Sequence, residues 1–169
     1  MTRAALFMTA GALAMILAAP RVEGHGLRDA RILSVGLGGS YVNFEGAKTG
    51  APSAVVQYGR NTELLTLQGV FELGYRPATD AVHLRLTGEL LGGEILGLAM
   101  GLGAVLGDED PGGEMIFGLV ANVPLPLDKR SAIKLGVTLG RFVRFEGAPA
   151  RGGFFVGGRL LFRHFFGEV

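Results

Sequence analysis

The stretch 81-AVHLRLTGELL-91 alternates between apolar and polar side chains, and this alternation decides the fold. Successive side chains of a β-strand point to opposite faces, so a strand here has one apolar face and one polar face. The polar face carries His83, Arg85, Thr87 and Glu89. A period of two predicts a β-strand and argues against an α-helix.

The preceding stretch, residues 64–76, repeats the pattern. Leucines, a phenylalanine and a tyrosine stand at odd-numbered positions, which share one face of a strand, whereas Gln68 and Glu72 stand at even-numbered positions on the opposite face. Only residues 77–80, which begin with a proline, separate the two stretches. Two alternating runs joined by a short turn predict an antiparallel β-hairpin.

Similar segments follow one another from residue 31 onward, separated by Gly, Pro, Asn or Asp clusters. No change in composition marks a linker, so we expect one domain over residues 25–169. The sequence thus predicts an all-β fold with eight strands in antiparallel up-and-down order. The predicted strands are 31–44, 53–60, 64–76, 81–91, 94–106, 114–124, 131–145 and 153–166.

The fifth and sixth segments are nearly apolar on both faces, so their period cannot separate strand from helix. Gly97 and Gly101 would make a small-residue face between membrane helices. However, the uncharged stretch 95–107 is shorter than the roughly 20 residues that a membrane helix needs. Glycine also costs about 1 kcal/mol in a helix interior, so we favour strands whose glycines face a crowded lumen.

Alternation does not say which face points outward, and a soluble barrel of the lipocalin kind fits the same pattern turned inside out. Strand length favours the membrane, because crossing the hydrocarbon layer takes about nine to eleven residues. The prediction is therefore an eight-stranded transmembrane β-barrel. Its connections would be 45–52, 77–80, 107–113 and 146–152 on the outside, with 60–63, 92–94 and 124–130 on the periplasmic side.

In such a barrel the polar faces converge on the lumen, where opposite charges can pair and offset the cost of desolvation. We expect a polar network of residues from four strands. Its predicted members are Gln68, Glu72, His83, Arg85, Glu89, Lys134, Thr138, Arg159 and Arg163.

The amino terminus has the pattern of an export signal. Arg3 precedes an apolar run over residues 4–19, which is too short to span a membrane, and small residues follow it. We predict a cleaved signal peptide over residues 1–24; an uncleaved anchor is the alternative. Cleavage removes two of the 16 basic and one of the 15 acidic residues, so the mature chain is neutral.

A neutral chain without a long basic run has no electrostatic footprint for nucleic acid, so no nucleic-acid partner is expected. The chain has no cysteine, although an exported protein could use disulfides. Stability must therefore come from packing and hydrogen bonding.

Over its whole mature length, the chain resembles the eight-stranded outer-membrane β-barrel class of diderm bacteria. Its last strand carries Gly157, Leu160, Phe162 and Phe166, similar to the signal by which the assembly machinery of that class recognises its clients. The chain ends at Val169 instead of the usual aromatic residue. The resemblance implies insertion by that machinery, an outer-membrane location, and contact with outer-membrane lipids and lipopolysaccharide.

Catalytic chemistry has one candidate centre. His83 could act as a general base if a serine lay beside it, and Ser34 and Ser40 on the first strand are the possible nucleophiles of a lipid hydrolase. No nucleophile motif surrounds either serine. A histidine that joins a lumen hydrogen-bond network is the simpler interpretation, so no catalytic residue is assigned.

The sequence pattern does not predict a metal site or a phosphate-binding site. His25, His83 and His164 lack the spacing of metal ligands. The acidic run 108–110 precedes a Pro-Gly-Gly turn and is typical of a solvated loop. A cation bridge from this run to lipopolysaccharide is the alternative. The glycines at 36, 38 and 39 lie inside a predicted strand, where no phosphate loop forms. We expect neither metal nor cofactor.

The leading functional hypothesis is a non-enzymatic barrel with a plugged lumen and a structural or surface-interaction role. A narrow channel or pathway for small or hydrophobic molecules is the alternative, because many glycines would leave the lumen less filled. The two remaining functional hypotheses are a lipid hydrolase and a soluble periplasmic ligand-binding barrel.

Overall fold

Eight β-strands make up nearly all of the computed structural model, which describes residues 30–44, 47–62, 64–107, 111–145 and 151–166. The predicted signal peptide, His25 and the acidic run 108–110 lie outside the described residues. The strands are β1 (Ala30–Phe44), β2 (Ala47–Asn61), β3 (Leu65–Arg76), β4 (Ala81–Gly92), β5 (Leu96–Leu106), β6 (Gly112–Pro126), β7 (Ser131–Phe145) and β8 (Arg151–Phe166).

The strands form a closed barrel in which each pairs antiparallel with its neighbours along the chain. Pairing of β1 with β8, from Arg31↔Phe166 to Phe44↔Gly153, closes the sheet. This confirms the predicted antiparallel eight-stranded barrel. The apolar fifth and sixth segments are both strands, so the helical alternative is wrong.

The two faces of the barrel are inverted relative to a soluble protein. On β4, Leu86 is 63% exposed and Leu90 is 47% exposed, whereas His83 and Glu89 are buried. The outer surface continues this way around β5, whose outward residues are leucines, Met100 and Ala104. The apolar face points outward and the polar face lines the lumen.

The barrel has two ends, which we name by their connections. The terminal end is where β1 begins and β8 finishes, and it carries the connections after β2, β4 and β6. The loop end carries those after β1, β3, β5 and β7. At the terminal end, Gly93 and Glu94 both have positive φ, 54° and 65°, in the tight turn between β4 and β5. Such angles suit the twist of a short hairpin but strain a residue with a Cβ.

Several strands are longer than predicted. β2 begins at Ala47, so the predicted outer loop 45–52 is wrong over residues 47–52. Pro52 suggested a loop because it cannot donate a hydrogen bond. In the barrel it pairs with Gly39 of β1, and the pairing of β2 with β3 begins only at Ser53, next to the proline.

The same correction applies to β6, which runs to Pro126. Pro124 pairs with Lys134 and Pro126 with Ala132, so the predicted turn 124–130 shrinks to residues 127–130. In this turn the Arg130 backbone N–H donates to Asp128 Oδ1 over 2.6 Å, which lowers the pKa of the Asp128 carboxyl. Prolines near a strand end mark weakened pairing and do not by themselves end the strand.

Gly101 shows why glycine occurs inside β5. A Cβ at this position would collide with the carbonyl oxygen of Leu86 on the neighbouring strand. Only glycine therefore allows β4 and β5 to approach each other so closely here.

Candidate functional site in the barrel lumen

The nine residues predicted for a polar network all belong to inward-facing positions of their strands. Six are buried and three, Glu72, Thr138 and Arg159, are half-buried. Direct contacts between described side chains link most of them into two clusters, one near each end of the barrel. Thr138 stands apart from these contacts and lines a cavity between the clusters.

The terminal-end cluster is a chain of charge-assisted hydrogen bonds. Glu89 accepts from Arg159 Nη1 and from Gln68 Nε2, both over 2.6 Å. Gln68 Oε1 in turn accepts from Arg163 Nη2 over 3.0 Å. Arg163 also donates through Nη1 to Glu94 Oε2 over 2.8 Å. We call Gln68, Glu89, Glu94, Arg159 and Arg163 the terminal-end cluster.

The strained turn explains how Glu94 enters this cluster. Positive φ at Gly93 and Glu94 folds the chain back between β4 and β5, and the Glu94 carboxylate reaches Arg163, whose side chain is fully buried. Arg163 Nε also lies 3.3 Å from Ser34 Oγ. The ion pair compensates the backbone strain at Glu94, a residue that sequence analysis did not include in the polar network.

Lys134 is fully buried but has no carboxylate against it among the described residues. Its Nζ donates to Gln57 Oε1 over 3.0 Å. Lys134 is therefore a buried amine held by a neutral amide, and a positive charge here would cost desolvation without a matching ion pair.

The loop-end cluster gathers three guanidinium groups around one carboxylate. Glu114 Oε1 accepts from Arg76 over 3.1 Å and from Arg144 over 3.3 Å, and Glu114 Oε2 lies 3.5 Å from Arg85 Nη2. All four side chains are at most 4% exposed. We call Glu114, Arg76, Arg85 and Arg144 the loop-end cluster.

Sequence analysis found only Arg85 of these four. Arg76 and Arg144 could have been found, because each continues the inward parity of its strand, β3 or β7. Glu114 could not, because both faces of β6 are nearly apolar and the parity of that strand stays ambiguous. Gln57 and Glu94 were missed as well.

His83 does not meet either serine that was considered as its nucleophile. Its Nε2 lies 3.4 Å from Glu72 Oε1. The Ser34 hydroxyl accepts from Arg163, and Ser40 Oγ lies 3.5 Å from Arg85 Nη1. Both hydroxyls contact guanidinium groups, which cannot act as a general base. The described geometry contains no serine–histidine pair at this position.

A cavity of about 30 Å³ lies between the two clusters. Arg85 and Glu72 wall it on one side, Arg159 and Glu89 on the other. Phe155 adds an apolar wall, over which the Arg85 guanidinium stacks 5.3 Å from the ring centre. A volume of this size holds about two water molecules, so it is no passage for a solute.

The predicted assembly-signal residues lie on β8. Leu160, Phe162 and Phe166 are 45–53% exposed on the outward face, whereas Gly157 faces the lumen next to Thr138. His164 also belongs to the outward parity, and its ring meets Phe166 edge-on at 4.7 Å. The signal remains a prediction, because these positions alone do not show recognition.

The described residues contain no group of three or more His, Cys, Asp or Glu side chains placed to hold a metal ion. They also contain no helix of the length and apolarity that a bilayer crossing requires.

Comparison with known proteins gives likeness in fold without likeness in sequence. No family model and no curated protein matches the chain. The crystal structure of Neisserial surface protein A (NspA) matches with a TM-score of 0.60 at 10% identity, covering 80% of this chain and 97% of NspA. The chain has the fold of the small eight-stranded outer-membrane β-barrels. The outer membrane protein OprG from Pseudomonas aeruginosa matches more weakly, with a TM-score of 0.44 at 10% identity over 83% of this chain and 97% of OprG.

Proposed function

We propose that this chain is an outer-membrane β-barrel with a plugged lumen, which serves a structural or surface-interaction role and does not pass solutes. The observation that carries this proposal is the lumen itself. Two clusters of buried ion pairs bridge it near either end, and the cavity between them has room for about two water molecules.

The outward face supports the membrane location. Large apolar side chains are exposed around the barrel, from Leu37 on β1 to Phe162 on β8. In water such a surface would aggregate, whereas in a bilayer it is solvated. Strands of 11 to 16 residues are long enough to cross the hydrocarbon layer at the usual tilt.

The remaining parts of the proposal come from the sequence. A signal peptide over residues 1–24 would export the chain, and the barrel assembly machinery would insert it, using the signal on β8. Outer-membrane lipids and lipopolysaccharide would surround the apolar face. Fractionation of cells, with heat-modifiable mobility of the protein in gels, tests the location. Recovery in the periplasm without detergent would refute it.

Planar-bilayer recordings test the plugged lumen. We expect the wild-type barrel to show no steady, solute-sized conductance. The double variant Arg159→Ser and Glu89→Ser removes one ion pair without leaving either partner unpaired. Because the loop-end cluster remains, we expect this variant to stay closed as well. Steady conductance by the wild type would instead support a narrow channel.

A further inference from the structure

Arg141 places a charge on the outward, apolar face of the barrel, inside strand β7 and not at its end. It is exposed, and the other outward residues of this strand from Ile133 to Phe145 are isoleucine, leucine, valine or phenylalanine. Val143 and Phe145 lie beyond it towards the loop end. The arginine therefore interrupts the apolar surface instead of marking its edge.

The neighbouring strands also surround Arg141 with apolar side chains. Its register partners are Phe117 on β6 and Phe154 on β8. These two rings are 44% and 48% exposed on the same face. Side chains in register lie about 5 Å apart at Cβ, so both rings flank the arginine. A positive charge in such apolar surroundings is costly in a bilayer unless an anion accompanies it.

The depth of Arg141 explains how a membrane can accept it. The residue lies four positions before the end of β7, which is about 10 Å along the axis of a barrel with the usual strand tilt. An arginine can extend its stem over apolar neighbours while its charged head reaches towards the polar boundary. The guanidinium can therefore meet a lipid headgroup at the loop end.

The described part of the outward face supplies no counter-charge for this arginine. The carboxylates within the described strands are Glu72, Glu89 and Glu114, and all three face the lumen. A second copy of the barrel would therefore offer no carboxylate from these strand faces either. This distribution of charge favours a lipid over another barrel as the source of the anion.

We propose that Arg141 binds the phosphate of a net-anionic lipid in the leaflet at the loop end, an inference that rests on the proposed membrane location. A guanidinium presents paired N–H donors that match two oxygens of one phosphate, and the ion pair gains strength where apolar neighbours exclude water. A zwitterionic headgroup fits less well, because its ammonium group would find no carboxylate on the described strand faces that point outward.

A lipid titration in phosphate-free micelles tests the site. The mature chain is folded in dodecyl maltoside and titrated with phosphatidylglycerol, phosphatidylcholine or galactosyl diacylglycerol, all with the same acyl chains. Because a ligand that binds only the folded state stabilises it, phosphatidylglycerol should raise the unfolding midpoint by about 2–4 °C and then saturate. Phosphatidylcholine should raise it less, and the glycolipid should not raise it. An equal rise with either of these two lipids would overturn the proposal.

Two outward cations provide a matched pair of variants. Arg141→Gln removes the charge inside the apolar surface and should abolish the rise with phosphatidylglycerol. Lys48→Gln removes the same charge from the second residue of β2, at the loop end beside Asn43, and should keep the rise. Arg141→Lys keeps the charge without the paired donors, so half-maximal stabilisation should need several-fold more lipid. An undiminished rise in Arg141→Gln, or loss of the rise in Lys48→Gln, would refute the site.

Native mass spectrometry of the same samples identifies the occupant. We expect the wild-type barrel to retain one phosphatidylglycerol molecule more than Arg141→Gln. A wild-type dimer that becomes monomeric in Arg141→Gln would assign the arginine to a protein contact and overturn the lipid site. Failure of the proposed membrane location looks different, because a soluble barrel would stay folded without detergent whatever residue stands at position 141.

Discussion

The inward and outward faces of the same strands follow opposite rules. On β6, Glu114 is 1% exposed and holds three arginines, whereas Phe117, three residues further on, is 44% exposed and contacts the surroundings. A charge inside is tolerated because partners surround it, and an apolar ring outside is tolerated only in lipid. The stability of each face thus depends on a different environment.

We expect the largest loss of stability from a substitution at Glu114, the inward carboxylate that contacts three arginines. Glu114→Gln leaves Arg76, Arg85 and Arg144 buried without a charged partner, so we expect a loss of about 3–5 kcal/mol in the free energy of unfolding. Urea unfolding in micelles measures it. Asp80→Asn, at an exposed turn residue with a φ of 50° that asparagine tolerates, is the charge-neutralising control and should change stability by less than about 0.5 kcal/mol.

A charged side chain placed on the outward face should destabilise the barrel in a bilayer. Met100 lies near the middle of β5 and is 64% exposed. Met100→Arg should cost about 2–4 kcal/mol in a bilayer, because the guanidinium enters the hydrocarbon layer. Leu127→Arg, in the turn at the terminal end, carries the same change and should cost at most about 1 kcal/mol. Equal costs at both positions in lipid vesicles would contradict a membrane-facing surface.

A smaller effect is expected where an inward carboxylate is less shared. Glu89→Gln keeps a hydrogen-bonding amide beside Gln68 but removes the charge that faces Arg159. We expect a loss of about 1–3 kcal/mol, less than for Glu114→Gln. Equilibrium unfolding of both variants under the same conditions decides the order. A larger loss for Glu89→Gln would show that the number of cations around a carboxylate does not set its importance.

The smallest effect sharpens the comparison, because it concerns an inward lysine that has no carboxylate against it within the described part of the chain. Lys134→Met removes the desolvation cost and leaves a side chain of similar volume, while Gln57 loses one hydrogen bond. The free energy of unfolding should change by about 1 kcal/mol or less, or rise. Leu135→Met, on the outward face of the same strand, is the matched control. A loss above about 3 kcal/mol for Lys134→Met would indicate an ionic partner for this lysine.

The fold could be predicted from alternation wherever one face was polar. β3, β4, β7 and β8 were found within about two residues of their bounds. β5 and β6, apolar on both faces, were recognised mainly because the alternative helix was too short. Strand ends at Pro52 and Pro124 were misplaced, since a proline removes one hydrogen bond while the pairing with the other neighbour continues.

The candidate site was predictable as a list of inward residues but not as a set of contacts. Gln68 and Glu89 lie on β3 and β4, which the sequence predicted as a hairpin, and the structure pairs them in register. Glu114 and Arg144 are register partners on the neighbouring strands β6 and β7. Arg76 and Arg85 come from β3 and β4, which do not pair with β6, and only the curvature of the closed barrel brings them to Glu114. The cavity depends on the same closure.

By itself, the sequence of this protein determined the two unlike faces of its strands, because side-chain direction alternates along any β-strand whatever its neighbours are. The tertiary structure decided which face is inside, which charges share a carboxylate, and how much space they leave. The reason is that register and curvature are properties of the whole sheet. Glu114 lies 38 residues after Arg76 along the chain and three strands away around the sheet, so their contact depends on the curvature of the closed barrel.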